Sequence, residues 1–186
     1  INSGLAVGFS FLKTAYENSN FIFNQIDIAN TYTNDIVLQH ERSIYTDVIK
    51  AIDIESNELI DFTTTMHSSK DSYAVSKIDR PLAYIIKKNN YGFIEKLNDV
   101  GVDYIELEKD TMIYSGGYKV IEFNNNFKVY EKMKMQKVVT SIQYGDNKFS
   151  KGDILISMNQ KRSNLIAELL EPEAPNSYVS FGIIKT

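Results

Sequence analysis

The stretch KGDILISMNQKRSNLIAELLEPEAPNSYVSFGII, residues 151–184, contains an apolar strand pattern, a short helix pattern, an acidic turn with prolines and a second apolar run. The helix is predicted because apolar residues recur at spacings of three and four: Leu165, Ile166, Leu169 and Leu170. Pro172 ends this helix, since proline disfavours helical geometry in the residue before it. The apolar run Ser177 to Ile184 predicts a final strand. A chain with many strand patterns and few helices of this kind favours an α+β fold.

The segment RPLAYIIKKNNYGFIEKLNDVGVDYIEL, residues 80–107, predicts a strand, a helix and a second strand. The first strand covers Leu82 to Ile86 and the second covers Val102 to Leu107. Phe93, Ile94 and Leu97 form the buried stripe of the helix, and Gly101 is placed where a helix ends in a left-handed residue. A crossover of this kind makes its two strands parallel. We therefore expect a mixed sheet with a βαβ unit.

The remainder of the second half predicts two β-hairpins. YKVIEF and FKVYEKM flank a turn at Asn124 to Asn126, since asparagine tolerates positive φ. QKVVTSIQY and GDILISM flank a second turn at residues 145–151. Residues 57–78 are rich in Thr, Phe, Tyr and Val, which favours two further strands with a turn at residues 67–72. Residues 43–54 fit helix and strand equally well.

The chain begins with a pattern typical of one long amphipathic helix, roughly residues 4 to 32. Its large apolar residues are Leu5, Phe9, Leu12, Tyr16, Phe23 and Ile26. We interpret residues 1–36 as this N-terminal helix and residues 37–186 as a separate C-terminal α+β domain. The apolar face packs on its own domain or forms a seam left exposed by a missing neighbour.

Composition excludes several classes of protein. The 186 residues carry a formal net charge of −4 and no basic cluster, which argues against nucleic-acid binding. The absence of cysteine excludes disulfides, thiol nucleophiles and thiolate metal sites. No apolar run is long enough to span a bilayer. The start at Ile1, without a leader pattern, fits a processed protein and a fragment equally well.

The candidate catalytic residues are few. His40 and His67 have no carboxylate at a recognised metal-ligand spacing, so we expect two surface histidines near turns. The pair of glycines in SGGYK, residues 115–119, lacks the spacing of a nucleotide loop and predicts a turn before a strand. Glu168, Glu171 and Glu173 are the carboxylates that acid–base chemistry would need, and their place beside a proline loop favours a solvated turn. We therefore predict no catalytic residue and no metal ligand in this chain, with any binding residues unknown.

The ending resembles the C-terminal segment of bacterial zinc carboxypeptidases of the carboxypeptidase A type. The stretches that carry this resemblance are Gly152 to Ser157, Gln160 to Arg162, Leu165 to Leu170 and Leu170 to Ser177. Residues 80–107 are similar to an Arg-Pro strand and the helix that follows it in the same proteins, and residues 11–27 look like the last helix of the peptidase domain and its extension. The resemblance therefore implies that residues 1–36 are the end of a missing peptidase domain, or an extension from it, and that residues 37–186 are an accessory domain. Lys161 stands where the family usually has proline, and SYVSFGII replaces an ending of the Trp-Asn-Phe-Phe type, so no pocket is carried over.

The resemblance implies a zinc metallocarboxypeptidase, a hydrolase, as the parent polypeptide. Its His-x-x-Glu motif, later His and general-base Glu match no position here, so zinc is expected only in the missing catalytic domain. The first hypothesis is a noncatalytic C-terminal accessory domain that packs on that domain and shapes access of a peptide substrate. The resemblance also implies an extracytoplasmic location.

Two hypotheses from other classes remain. The chain is a stand-alone module that binds a peptide or cell-wall fragment through its abundant Tyr and Phe residues. Alternatively, it is a structural domain that dimerises through the Leu5 to Ile26 face.

Overall fold

A computed structural model describes residues 2–30 and 35–184. The chain divides into two units, Ile1–Asn34 and Asp35–Thr186. The elements, in chain order, are α1 (Asn2–Glu17), α2 (Ser19–Asn30), β1 (Ile36–Ile52), β2 (Leu59–Ile78), β3 (Ala83–Ile86), a 3₁₀ helix (Lys88–Phe93), α3 (Ile94–Asp99), β4 (Ile105–Glu106), β5 (Thr111–Tyr130), β6 (Met133–Phe149), β7 (Ile154–Ser157) and α4 (Ser163–Leu170). The protein is mostly β, which corrects the predicted α+β class with its mixed sheet.

The first unit contains two helices, so the prediction of one long N-terminal helix over residues 4–32 is wrong. The helices separate at Asn18, whose side-chain amide donates to the carbonyl of Thr14 at 2.8 Å. Asparagine side chains compete with the backbone for hydrogen bonds in this way and thereby weaken a helix interior. The predicted end of the helix, after Asn30, lies outside the described residues. The assignment of this unit to the end of a peptidase domain stays a prediction.

The second unit contains one three-stranded sheet with the order β3-β7-β4, in which both pairings are antiparallel. Because β3 and β4 both run antiparallel to β7, they are parallel to each other, as the crossover predicts, but the predicted mixed sheet is wrong, since both described pairings of this sheet are antiparallel. The segment from β3 to β4 does cross over through α3, but β7 inserts between the two strands. A crossover fixes the direction of two strands and does not make them neighbours, and the pairing with β7 depends on residues about fifty positions later in the chain.

The main core lies between this sheet and the last two helices. Its buried apolar residues include Phe93, Leu97, Ile154, Ile156, Ile166 and Leu170, joined by Ile36 and Leu38 from the start of β1. The predicted apolar stripes of α3 and α4 are confirmed at these positions, with Ile94, Leu165 and Leu169 half-buried. Gly101 has φ of +66°, as predicted for the end of α3.

The other four strands form two long β-hairpins, β1–β2 and β5–β6, each a two-stranded antiparallel sheet. Three predicted turns are wrong. Residues 69–72 are a bulge inside β2 and Asn125 to Phe127 are a bulge inside β5. Residues 145–149 belong to β6, and the strand that follows, β7, lies in another sheet and does not pair with β6. The SGGYK segment is also strand rather than turn.

The turns that do close these hairpins carry weaker sequence signals. Glu131 and Lys132 connect β5 to β6 with φ of 46° and 69°. A two-residue hairpin turn needs positive φ at both positions, for which Asn and Gly are the usual residues. Asp53 closes the other hairpin, because its carboxylate accepts from the backbone N–H of Ser56 at 3.0 Å and from its hydroxyl at 2.7 Å.

The predicted final strand, Ser177 to Ile184, is instead a series of turns. The Ser177 hydroxyl accepts from the backbone N–H of Ser180 at 3.0 Å, and the N–H of Ile183 donates to the carbonyl of Tyr178 at 2.7 Å. Serine hydroxyls favour turns by bonding to the nearby backbone. Within residues 2–30 and 35–184, no helix combines the length and hydropathy that are needed to cross a bilayer.

Candidate functional site

Glu171 lies directly after α4 and directly before Pro172, in the acidic loop that sequence analysis singled out. Its backbone leaves the helix with φ of −67° and ψ of 120°. Its exposure is only 5%, so the predicted solvated turn is wrong for this residue. The flanking residues explain the burial, since Leu170, Pro172 and Ala174 are all buried as well.

Two tyrosines from separate strands hold the Glu171 carboxylate. The Tyr84 hydroxyl, on β3, donates to Oε1, and the Tyr118 hydroxyl, on β5, donates to Oε2 at 2.6 Å. A buried carboxylate is tolerated when its oxygens accept hydrogen bonds. We call Tyr84, Tyr118 and Glu171 the Tyr–Glu cluster. It connects the core sheet, the β5–β6 hairpin and the C-terminal loop.

The cluster keeps both phenols protonated. Burial raises the pKa of Tyr84 far above its usual value, and the hydrogen bond to Glu171 raises it further. The same two causes, in the same order, raise the pKa of Tyr118. Each phenol is therefore a hydrogen-bond donor at neutral pH. Because both carboxylate oxygens are engaged, the arrangement is that of a structural clamp rather than of a free general base.

The other two predicted carboxylates do not join this cluster. Glu173 is exposed, and its Oε1 accepts from the backbone N–H and the hydroxyl of Thr140, both at 2.7 Å. Glu168 is half-buried and accepts from Asn176 at 3.1 Å. Glu171 and Glu173 thus both tie the loop to the β5–β6 hairpin. Sequence reasoning missed Tyr84 and Tyr118, because only the tertiary fold brings them to the loop.

The two histidines are separated along the β1–β2 hairpin. Both are exposed and lie within strands, not near turns: His40 faces Ala74 and His67 faces Ile44 in the strand register. At about 3.3 Å per residue, the register places them about 13 Å apart along the hairpin. A zinc ion binds imidazole nitrogens at about 2 Å. These residues therefore do not fit a shared zinc site, and within the described ranges no group of three or more His, Asp or Glu side chains is placed to hold a metal ion.

A shallow depression of about 250 Å³ lies beside the core sheet. It is lined by Lys87, Lys88, Lys148, Ser150 and Asp153. Asp153 is buried and accepts from the backbone N–H groups of Lys88 at 3.0 Å and Ser150 at 2.8 Å. Two of the three lysines have partners outside the depression, since Lys88 Nζ donates to the Lys151 carbonyl and Lys148 Nζ lies 3.5 Å from the Asp110 carboxylate. We therefore interpret the depression as the place where two loops meet, held together by the hydrogen bonds of Asp153.

The residues that carry the family resemblance have structural contacts. Arg80 donates to the Ser163 hydroxyl and to the Asn164 side-chain oxygen, each at 2.7 Å, and so holds the first turn of α4. Gln160 accepts from the Asp103 N–H and donates to the carbonyls of Asp103 and Ser157. These contacts join the Arg-Pro strand, the Gln-Lys-Arg turn and α4 into one framework.

Curated proteins of similar sequence are fungal carboxypeptidases. Carboxypeptidase 2 of Trichophyton rubrum is 27% identical over 191 residues, and carboxypeptidase 2 of Trichophyton tonsurans is 26% identical over 186 residues; each alignment covers 98% of this chain. Probable carboxypeptidase 2 of Arthroderma benhamiae is 25% identical over 91% of the chain.

The chain spans only about 35% of the length of the first two relatives. No family model matches the chain, and no solved structure is similar to it. The relatives support the predicted carboxypeptidase resemblance. Because these relatives are fungal, they do not support the predicted resemblance to bacterial enzymes in particular. The chain is thus similar, over almost its whole length, to one part of larger proteins named carboxypeptidase 2.

Proposed function

We propose that this chain is the noncatalytic accessory portion of a carboxypeptidase-like protein. The observation that carries the proposal is the similarity of 98% of the chain to about a third of carboxypeptidase 2. The parent protein is a zinc carboxypeptidase of the carboxypeptidase A type, whose metal belongs to the portion outside this chain. The accessory portion packs on the peptidase domain and shapes access of peptide substrates, in an extracytoplasmic location.

The contacts of the candidate residues support the noncatalytic role. The three loop carboxylates accept hydrogen bonds from Tyr84, Tyr118, Thr140 and Asn176. A general base must lie within hydrogen-bond reach of the proton that it takes from the substrate. A catalytic zinc needs several protein ligands around one point and one open coordination position. Both carboxylate oxygens of Glu171 instead accept hydrogen bonds from tyrosines, and the two histidines are far apart along the β1–β2 hairpin.

A specific pair of residues favours a second candidate function, a carbohydrate- or peptide-binding module. Tyr114 and Tyr144 are exposed by 71% and 69%, and their ring centroids lie 6.5 Å apart with planes inclined by 22°. Gly116 makes room for Ile142 and Tyr144, since a Cβ at that position would approach Ile142 Cγ2 to 2.7 Å and Tyr144 Cε1 to 3.1 Å. Exposed tyrosine faces with polar hydroxyls suit ligands that have both apolar and polar surfaces.

The test is to incubate the purified chain, with added zinc, with peptides that have free C-termini. We expect no release of C-terminal amino acids. Release that a chelator abolishes would contradict the noncatalytic role. Deletion of this segment from the longer carboxypeptidase-like polypeptide should then lower the thermal stability of that polypeptide and change its relative kcat/KM for short and long peptides. Unchanged values for both would contradict the packing role.

The second candidate is tested on the same chain by NMR titration with soluble cell-wall fragments and with peptides. Shifts near residues 114 and 144 that disappear in the Tyr114→Ala/Tyr144→Ala variant would support it. A Tyr16→Ala/Tyr45→Ala variant is the matched control, because both of these tyrosines are exposed elsewhere on the chain.

A further inference from the structure

The outer parts of the two long hairpins carry opposite charge. Residues 44–66, which we call the acidic arm, contain five carboxylates and one lysine, for a formal charge of −4. Residues 119–137, which we call the basic arm, contain five lysines and two glutamates, for a formal charge of +3. The contrast is large for a chain whose whole formal charge is −4.

Most of these charges are available to a partner. In the acidic arm, Lys50 pairs with Asp61, and within the described ranges the other four carboxylates have no ion-pair partner. They are Asp47, Asp53, Glu55 and Glu58. In the basic arm, Lys128 and Lys137 lie 5.8 Å and 5.3 Å from the centre of the Phe127 ring. The described contacts give no lysine of this arm a carboxylate partner.

Each arm also exposes apolar side chains that an isolated ribbon does not bury. In the acidic arm, the strand register places Tyr45, Ile49, Ala51, Ile60, Phe62 and Met66 on one face. Exposed apolar residues of the basic arm include Ile121, Phe123, Phe127, Val129, Tyr130 and Met133. A two-stranded ribbon of this kind is marginally stable in water, and its outer strand edges have unpaired backbone groups.

We propose that the acidic arm of one copy of this chain binds the basic arm of a second copy. Like arms repel and unlike arms attract, so charge selects this pairing over the alternatives. Each chain has one arm of each kind. Two copies related by a two-fold axis therefore make the contact twice and close as a dimer. The strand edges add backbone hydrogen bonds and the apolar faces become buried.

The wild-type chain provides the first test, by sedimentation velocity at micromolar concentration. We expect a dimer at about 0.05 M salt and at least tenfold weaker association at about 0.5 M, because salt screens exposed charges. A chain that sediments as a monomer at low salt would overturn the proposal. A dimer with no response to salt would overturn it too.

Charge-reversal variants then identify the surface. Glu55→Lys/Glu58→Lys brings the acidic arm to a formal charge of 0, and Lys119→Glu/Lys134→Glu brings the basic arm to −1, so each variant loses the attraction between its own two arms. Each variant alone should associate at least tenfold more weakly than the wild-type chain. An equimolar mixture of the two should form a heterodimer more readily than either variant forms a homodimer, since the +3 arm of one variant then meets the −4 arm of the other.

The matched control is Glu106→Lys/Glu108→Lys, which changes the net charge equally at exposed residues outside both arms. Its dimer should keep an affinity close to wild type. Three outcomes would overturn the proposal. They are an arm variant that dimerises like the wild-type chain, a mixture that forms no heterodimer, and a control that dissociates as strongly as the arm variants. All the substituted residues are exposed, and circular dichroism checks that each variant is folded.

Discussion

The compact core and the hairpin arms of the second unit differ in how much of their apolar surface is buried. In the core, Ile154 and Ile156 of β7 are fully buried while the side chains between and after them are not, as expected for a strand with one inner face. In the arms, apolar and polar side chains alike are exposed, for example Val48 and Lys50. The core stabilises itself by burial, whereas the arms need a partner. Mutations in the two regions should therefore have very different consequences.

The largest difference is expected between two isoleucines. Ile156→Ala in the core removes a fully buried side chain and should lower the free energy of unfolding by about 2–5 kcal/mol. Ile54→Ala, at an arm residue that is 96% exposed, should change it by less than about 0.5 kcal/mol. Urea unfolding of dilute protein measures both. Equal losses would contradict the division between core and arms.

The Tyr–Glu cluster joins the two regions, so its loss should have the next largest effect. Glu171→Ala leaves the Tyr84 and Tyr118 hydroxyls without their acceptor, and each unsatisfied buried group costs about 1–3 kcal/mol. Glu171→Gln keeps an acceptor oxygen and should cost less. Glu173→Ala, at an exposed carboxylate of the same loop, is the control and should cost under about 1 kcal/mol. A Glu173 variant that is as unstable as the Glu171 variant would contradict the clamp.

The core was largely predictable from sequence, and the arms and the cluster were not. The apolar spacing of Phe93, Leu97, Ile166 and Leu170 identified buried helix faces, because burial imposes the helical period. Most apolar side chains on both faces of the arms are exposed, with Met135 an exception at 3%, so no such period sets their register or turns. Asn124 to Asn126 predicted a turn, yet the chain continues to Glu131 and Lys132. Glu171 appeared to belong to a solvated loop, because its tyrosine partners come from strands 53 and 87 residues earlier in the chain.

The same cluster predicts a loss of stability at alkaline pH. The pKa of Tyr84 and of Tyr118 is raised in the folded protein by burial and by the Glu171 carboxylate. Above pH of about 10 the unfolded chain releases the phenolic protons while the folded chain retains them, so the free energy of unfolding should fall as pH rises. Below pH 10 both states keep these protons, and the two tyrosines contribute no slope.

Urea unfolding at a series of pH values measures this slope. Tyr84→Phe/Tyr118→Phe should be less stable at neutral pH and should lose most of the alkaline slope. Tyr16→Phe/Tyr45→Phe, at exposed tyrosines, is the matched control and should keep it. An unchanged slope in the Tyr84→Phe/Tyr118→Phe variant would show that other groups cause the loss of stability at alkaline pH.

The smallest effect on stability is expected at the tip of the basic arm, where the substitution should stabilise the protein rather than destabilise it. Lys132 has φ of 69°, where glycine is at no disadvantage and other residues are strained. Lys132→Gly should therefore stabilise the β5–β6 hairpin by up to about 1 kcal/mol, since the turn geometry already requires positive φ. Amide hydrogen exchange is the suitable measurement, because the tip opens locally without unfolding of the core. Exchange should slow at Lys128 and Tyr130, on the strand that leads into the turn.

Lys134→Gly, two residues into β6, removes the same charge from a strand position where glycine is unfavourable, so it should speed exchange at the same amides. Opposite signs for these two variants would show that backbone conformation at the turn, rather than the charge of the basic arm, limits the stability of the tip. Faster exchange in both variants would instead mean that the lysine side chains hold the tip together.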